Sequence, residues 1–335
     1  MNGGPPTLDD VAREAQVSRS TASRAINGGE RVSPEAQAAV DGAVARLGYS
    51  PNRAARSLVT RRTDSIALVV PEPDTLVLTD PFLTGVIRGV TDGLAGTDFQ
   101  LVLLLSRAGE SPGRIARYLG SGHVDGAIVA SHHRRDQLET ALARAQLPAV
   151  FVGRPFGDAR HRYVDVDNVA GGRLAAQRLL DRGCRRIGTV CGPLDMSAGI
   201  DRLQGWRETL DAAGLPTDAV VEGDFTAVGG EAAAERLLDA HPDLDGIFAA
   251  SDLMAEGVLR VLHSRGRRVP DDVAVMGFDN LGVAQHTNPR LTTVQNPVIH
   301  QTTTATAALL GLLAGAPVPS APLVFEPTLV EGESA

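Results

Sequence analysis

Near the N-terminus, arginine, serine and asparagine side chains recur within nine residues in a pattern that could read DNA. The candidates are Arg19, Ser20, Ser23, Arg24 and Asn27. Arginine can bond the O6 and N7 atoms of guanine as a pair, and serine can bond a base edge or a phosphate. This chemistry requires a helix whose exposed face enters the major groove. A small helical bundle with a solvated polar face would carry the same residues, so the pattern alone leaves both interpretations open.

A second group of residues could do acid–base chemistry but lacks the partners that catalysis needs. Asp165 and Asp167 alternate along a predicted strand, so both carboxylates could point to one face. No nucleophile accompanies them, His132 and His133 lack the spacing of metal ligands, and the Gly-Gly pair at 171–172 is no phosphate loop. We therefore expect no enzyme, no catalytic residue, no metal and no cofactor.

The charge distribution divides the chain into a basic head and an acidic body. The 335 residues carry a net charge of −8, yet the first 62 hold nine arginines against six acidic residues. Such a head suits a DNA reader joined to a sensor. No apolar run approaches the ~20 residues that cross a bilayer, and residues 1–6 lack the core of a signal peptide. We expect a cytoplasmic protein with no membrane partner.

The head, residues 1–50, has the apolar spacing of a helix-turn-helix domain. Three helices are predicted, over about 8–15, 19–27 and 34–47. Thr7 and Asp10 predict a capping box at the first helix, and Ser18 predicts the N-cap of the second. Gly48 predicts the end of the third. The second helix is the one expected to enter the major groove.

From residue 65 onward, apolar strands alternate with helices. The predicted strands span 66–71, 100–106, 126–131, 149–153, 187–192, 246–251 and 273–279. Continuous apolar strands joined by helices predict parallel sheets that are buried on both faces. The predicted fold class is an all-α helix-turn-helix head plus an α/β effector domain of two doubly wound parallel-sheet lobes. The lobes are expected over about 64–163 and 164–290.

Ligands of such sheets bind beyond the carboxyl ends of the strands, so residues directly after strands are candidate contacts. Arg154, Asp252 and Asp279 follow or end predicted strands. The Asp252 carboxylate could accept two hydroxyl hydrogens from a ligand. Alternatively, it could serve only as the N-cap of the next helix.

The head resembles the LacI family of bacterial repressors. The resemblance rests on Thr7-Leu8-x-Asp10-Val11-Ala12, Val17-Ser18-x-x-Thr21-x-Ser23-Arg24, Val32-Ser33 and Leu47-Gly48-Tyr49-x-Pro51-Asn52. Ala22 departs from the valine usual in the family. The DNA contacts that the resemblance implies in the head are Thr7, Ser18, Arg19, Ser20, Thr21, Ser23, Arg24, Asn27 and Arg31.

Residues 51–63 resemble the family's hinge helix and linker. The contacts implied here are Asn52, Arg53, Ala55, Arg56 and Leu58. A helix this short is unstable alone in water, so it should fold only against its symmetry mate on DNA. Leu58 matches the leucine that enters the minor groove and kinks the duplex, with a plain linker leucine as the alternative.

Residues 64–335 resemble the same family's effector-binding and dimerisation domain. The resemblance adds Phe82, Arg202 and Phe225 to the candidate effector contacts, and the planar fork of an arginine suits paired sugar hydroxyls. Alternatively, Arg202 could form a surface ion pair with the adjacent Asp201, and either phenylalanine could be a core residue. Residues 291–320 would return to the first lobe and 321–330 to the second.

The resemblance implies a homodimeric repressor that binds pseudo-palindromic operator DNA and is released by a sugar. The stretches 192–196 and 223–225 resemble members that sense cellobiose and related plant glucosides. A regulator gated by a protein partner or co-repressor is the alternative. A solute-binding protein would share the two lobes but would need an export signal and no DNA-binding head.

Overall fold

The computed structural model describes residues 6–27, 32–50, 62–106, 113–157 and 161–335. By its internal contacts the chain divides into two compact units, residues 1–63 and 64–335. The first is helical and the second is built from two mainly parallel sheets, which confirms the predicted fold class.

The described residues of the head form three helices around a small apolar core. They are α1 (Leu8–Glu14), α2 (Arg19–Ile26) and α3 (Pro34–Leu47). Val11, Ala22 and Val40 are completely buried between them, so alanine at position 22 still packs in the core. The capping box of Thr7 is present, and Ser18 accepts the Thr21 N–H at the start of α2. Both predicted helix starts are therefore confirmed.

The first lobe is a six-stranded parallel sheet with helices on both faces. Its strands are β1 (Ser65–Pro73), β2 (Gln100–Ser106), β3 (Gly126–Ala130), β4 (Ala149–Val152), β5 (Arg162–Val166) and β11 (Leu323–Phe325). Its helices are α4 (Asp74–Val77), α5 (Pro81–Leu94), α6 (Arg114–Leu119), α7 (Leu138–Ala145) and α13 (Val298–Leu313), with a 3₁₀ turn at Arg134–Asp136. The strand order is β11-β5-β4-β3-β1-β2.

The second lobe repeats this plan with one antiparallel edge strand. Its strands are β6 (Ile187–Cys191), β7 (Val220–Glu222), β8 (Gly246–Ala249), β9 (Ala274–Asp279), β10 (Thr292–Gln295) and β12 (Thr328–Val330). Its helices are α8 (Asn168–Asp181), α9 (Ser197–Ala212), α10 (Ala227–Ala240), α11 (Asp252–Ser264) and α12 (Val283–His286). The order is β12-β10-β9-β8-β6-β7, and β12 runs antiparallel to β10.

The chain crosses between the lobes at different residues from those expected. β5 still pairs with β4 in the first sheet, so the first crossing follows Val166. β10 pairs with β9 in the second sheet, although residues from 291 were expected in the first lobe. β11 pairs with β5 in the first sheet, although 321–330 were expected in the second, and only β12 of that range lies there. Hydrogen bonding between distant strands decides these assignments, and local composition does not report it.

The second crossing is anchored by close packing of α13 on α5. A Cβ atom at Gly85 or Gly93 of α5 would lie 2.7 Å from a side-chain carbon of Val298 or Thr306 on α13. Side chains at these positions would push the two helices apart. The glycines therefore allow the returning helix to lie against the first lobe.

Candidate effector cleft and DNA-reading face

The predicted DNA contacts of the head lie on and around α2. Arg19, Ser20, Arg24 and Asn27 are exposed, whereas Thr21 and Ser23 are half-buried. The Arg19 guanidinium lies 3.3 Å from the Asp9 carboxylate, and both side chains are more than half exposed. An exposed ion pair of this kind contributes little to stability, so the Arg19 guanidinium can exchange Asp9 for a base.

Three of these side chains also hold the head together. Ser18 Oγ accepts the Thr21 N–H at 3.0 Å, and Thr7 Oγ1 accepts the Asp10 N–H at 3.3 Å. Hydrogen bonds from Thr7 lower the pKa of the Asp10 carboxyl. Asn27 Nδ2 donates to the Ser23 carbonyl at 2.8 Å, one turn back along α2. These side chains would need to shift their bonds, or share them, to touch DNA.

Six further predicted contacts lie outside the described residues. They are Arg31, Asn52, Arg53, Ala55, Arg56 and Leu58. Their roles remain predictions from the family resemblance.

A cavity of about 310 Å³ lies in the body at the carboxyl ends of the strands of both lobes. This volume is in the range of small-molecule pockets. Five of the six predicted effector residues line it: Phe82, Arg202, Phe225, Asp252 and Asp279. The first comes from the first lobe and the other four from the second, so a ligand here would contact both.

Arg202 is buried and fully engaged in the second-lobe wall of the cavity. Its Nε donates to Asn168 Oδ1 at 2.9 Å, and one terminal nitrogen donates to the Ala250 carbonyl at 2.6 Å. The other terminal nitrogen lies 3.5 Å from Asp279 Oδ1, and the guanidinium carbon lies 3.6 Å from the centre of the Phe278 ring. Burial lowers the pKa of Arg202. The expected alternative of a surface ion pair is therefore wrong.

Asp252 begins α11 but does not cap it. Ser251 Oγ accepts the Met254 N–H as the N-cap, so the alternative role predicted for Asp252 is wrong. The Asp252 carboxylate instead accepts the Thr293 hydroxyl at 2.6 Å and the Asn280 N–H at 2.7 Å. Burial, together with the charge of Asp279, raises the pKa of Asp252 to about 8.

Two of the candidates are held in unusual backbone conformations. Phe225 has φ 64° and Asp279 has φ 114°, both in the region that favours glycine. A residue without glycine's freedom is held there only when its surroundings over-determine it, and such positions concentrate at ligand sites. The Phe225 ring packs against Gly192, where even a Cβ atom would collide with it. The aromatic wall is therefore preset by the fold.

Phe82 is held at the cavity by the start of α5. Asp80 Oδ1 accepts the Phe82 N–H at 2.8 Å as the helix N-cap. The Phe82 side chain is half-buried and faces the cavity while its neighbour Leu83 is in the core. Burial raises the pKa of Asp80 to about 6.

Arg154 does not line the cavity. Its guanidinium donates to both carboxylate oxygens of Asp201, at 3.1 and 2.6 Å, and joins the first lobe to α9 of the second. This ion pair is the one that sequence reasoning had considered for Arg202. The pKa of Arg154 is raised by its hydrogen bonds to Asp201.

The carboxylates of Asp165 and Asp167 have separate structural roles. Asp165 accepts the Arg154 N–H and the Asn168 side-chain amide, at 2.9 and 3.0 Å, and burial raises its pKa to about 6. Asp167 accepts the Ala170 N–H as the N-cap of α8. Within the described residues, no cluster of three or more histidine, cysteine, aspartate or glutamate side chains could hold a metal ion.

Sequence reasoning missed several polar residues of the cavity wall. They are Glu72, Ser131, His133, Asn168, Asn296 and Gln301. Most of them end or follow a strand, the same rule that led to Arg154 and Asp279. Applying that rule to every strand would have found them, at the cost of including residues that face elsewhere.

Two family models match the chain. Residues 7–52 match the model of "Bacterial regulatory proteins, lacI family", and residues 176–335 match a periplasmic binding protein-like domain. The HTH-type transcriptional regulator CelR of Thermobifida fusca is 47% identical over 98% of both chains. The regulator GalR of Escherichia coli is 32% identical over 98% of this chain and 95% of its own.

Solved structures give the same picture. A CelR–cellobiose complex is 45% identical and superposes with a TM-score of 0.79 over 98% of this chain and 100% of the other. A lac repressor dimer, bound to operator and an anti-inducer, is 25% identical with a TM-score of 0.86 over 99% of both chains. In the described part of the chain, no helix is long and apolar enough to cross a membrane.

Proposed function

The chain belongs to the LacI family of bacterial regulatory proteins, and from that premise we propose that it is a repressor released from its operator by cellobiose or a related glucoside. The head would bind DNA as one half of a homodimer, which matches two-fold symmetric operators. The body would bind the sugar in the cavity between its lobes. The single observation that carries this proposal is the buried Arg202 network facing that cavity.

The chemistry of the cavity fits a sugar. The carboxyl oxygens of Asp252 and Asp279 can accept hydroxyl hydrogens, and the amides of Asn296 and Gln301 can both donate and accept. The Phe82 and Phe225 rings offer apolar surface to the faces of a sugar ring. The choice of cellobiose rests on the similar CelR, whose complex holds that sugar.

Release would follow from a difference in affinity. The sugar must bind the lobe arrangement that is incompetent for DNA more tightly than the competent one. A coupling free energy of about 1–3 kcal/mol is enough for a useful switch. Residues 51–63 would carry the coupling, as the family resemblance implies.

Operator selection followed by titration tests the proposal. Purified protein would be offered a library of random duplexes at fixed salt, because phosphate contacts make affinity salt-dependent. We expect enrichment of a pseudo-palindrome and its release by cellobiose, with Arg202→Leu binding the duplex but failing to respond. A protein with no preference for any duplex, with or without cello-oligosaccharides, would contradict the proposal.

A further inference from the structure

A histidine of the first lobe bridges the two lobes between two carboxylates. His133 follows β3, and its Nδ1 lies 2.7 Å from Oδ1 of Asp195, which precedes α9 in the second lobe. Its Nε2 lies 3.0 Å from Oε1 of Glu72, which lies in β1 of the first lobe. The same Glu72 oxygen accepts the Ser131 hydroxyl at 2.9 Å. His133 is buried at the edge of the cavity.

With Glu72 and Asp195 both ionised, the geometry requires a charged imidazole. A neutral imidazole has one donor and one acceptor nitrogen, whereas an ionised carboxylate can only accept. Both ring nitrogens of His133 face carboxylate oxygens, so both bonds form only if the ring carries two protons. Burial lowers the pKa of His133, but the hydrogen bonds to Glu72 and Asp195 outweigh it and the net shift is upward.

The other charged groups around the bridge give it a net negative surrounding. Asp136 accepts the His133 backbone N–H at 2.7 Å, and the adjacent His132 is kept neutral because burial lowers its pKa to about 4. Arg135 lies 3.6 Å from Asp195 and is mostly exposed. The backbone N–H of Arg134 also donates to the Asp195 carbonyl at 2.8 Å, so the Asp195 loop is fastened at two points.

A second ion pair between the lobes has different chemistry. Arg154 of the first lobe pairs with Asp201 of the second, and an arginine does not lose its proton in the accessible pH range. One bridge is therefore constant with pH and the other depends on a proton.

We infer that His133 is a proton-dependent bridge that holds the two lobes together around the effector, so that effector affinity falls as pH rises. The inference rests on the proposed function, because it takes the sugar to bind the bridged lobe arrangement. His133 acts as a positioning residue for the site. A sugar that binds this arrangement would take up a proton with it wherever the unbridged ring is neutral.

Proton linkage gives the direction in which effector affinity changes with pH. The pKa of His133 is raised in the bridged arrangement, so the bridge is at full strength below the ordinary value of 6.5. It is lost as pH rises through the raised pKa. Each unit that separates the bridged from the unbridged pKa weakens effector binding about tenfold over the titration.

The first test measures cellobiose affinity against pH. From about pH 6 to about pH 8.5, we expect the Kd to rise at least about threefold more in wild type than in His133→Gln, because Asp252, whose pKa is about 8, lines the cavity in both proteins. Arg154→Gln is the matched control, since it removes the other bridge and should weaken binding while keeping the wild-type slope. Equal slopes for wild type and His133→Gln would overturn the inference.

The second test needs no effector. The His133 side chain is titrated by NMR in histidine-labelled full-length protein, with its resonance assigned by its absence in His133→Gln. We expect its pKa to fall in Asp195→Asn, and an unchanged value would overturn the bridge. If that fall occurs but no cello-oligosaccharide binds at any pH, the proposed effector fails and the bridge stands. If cellobiose binds with one pH profile in all variants, the inference about His133 is wrong and the proposed effector is right.

Discussion

The head and the body hold their candidate ligand contacts in opposite ways. In the head, Arg19 and Arg24 are exposed on one short helix, and neither is part of the head's apolar core. In the body, Arg202 and Asp252 are buried, and their hydrogen-bond partners belong to the fold itself. The two arginines can therefore vary without endangering the folding of the head, unlike the helix caps Thr7 and Ser18. Arg202 and Asp252 cannot be replaced without altering the stability of the second lobe.

Removing Arg202 should give the largest joint loss of binding and stability. Arg202→Leu removes the donor to the Ala250 carbonyl and the positive charge beside the buried Asp279 carboxylate. Among the described residues, that carboxylate keeps only the Asn296 amide as a side-chain donor, so the free energy of unfolding of the body should fall by about 3 kcal/mol. The thermal shift with cellobiose should disappear. Chemical denaturation with and without sugar measures both effects.

Arg207→Leu is the control on the same helix, because Arg207 is exposed and should cost less than about 0.5 kcal/mol. An Arg202→Leu protein with unchanged stability but no sugar binding would contradict the contrast between head and body, because Arg202 would then serve the effector site without stabilising the second lobe.

The buried carboxyl of Asp252 should make stability depend on pH. Its pKa is raised to about 8, so the folded protein keeps a proton that the unfolded chain loses near 3.8. The stability tied to this group is complete below the unfolded pKa and is lost as pH rises through the folded one. From about pH 5 to about pH 8, the unfolding free energy of wild type should fall by about 4 kcal/mol more than that of Asp252→Asn, or about 1.4 kcal/mol for each pH unit.

The measurement is denaturant unfolding at several pH values, with Asp211→Asn as an exposed aspartate control expected to follow wild type. Parallel curves for wild type and Asp252→Asn would mean that the Asp252 carboxyl is ionised in the folded protein.

In the head, Arg19→Ala should separate binding from stability. Its partner Asp9 is exposed, so the melting temperature should not change, whereas loss of a base contact should weaken operator binding by about 2 kcal/mol. Fluorescence anisotropy on the selected operator and on a random duplex measures the effect. Arg46→Ala, an exposed arginine of α3 paired with Glu14, is the control. A destabilised Arg19→Ala head would contradict the comparison.

The smallest effect is expected at a cap that has no predicted DNA contact. Ser33 Oγ accepts the Ala36 N–H at 3.2 Å at the start of α3. Ser33→Ala should cost about 1 kcal/mol of head stability, and Ser33→Asp should restore it. Operator affinity should change only through the folded fraction of the head, which thermal unfolding and anisotropy at low temperature distinguish.

The sequence by itself determined the head, because its elements depend on contacts a few residues apart. Thr7 bonds Asp10, Ser18 bonds Thr21, and the apolar spacing places Val11 and Ala22 inside. It also determined the α/β class of the body, since strands buried on both faces must be apolar throughout. Ligands of parallel sheets bind beyond the carboxyl ends of the strands. The positions of Asp252 and Asp279 at strand ends therefore also predicted their place at the cavity.

Only the tertiary structure decided which side chains meet across the cleft. Arg202 bonds a carbonyl 48 residues away, and His133 bonds carboxylates 61 and 62 residues away in opposite directions along the chain. The alternative considered for Arg202 was an ion pair with the adjacent Asp201. Successive residues on a helix diverge by about 100°, however, and Asp201 reaches Arg154 instead. Strand pairing likewise set where the chain crosses between lobes. Such contacts depend on the relative placement of whole elements, which no local pattern encodes.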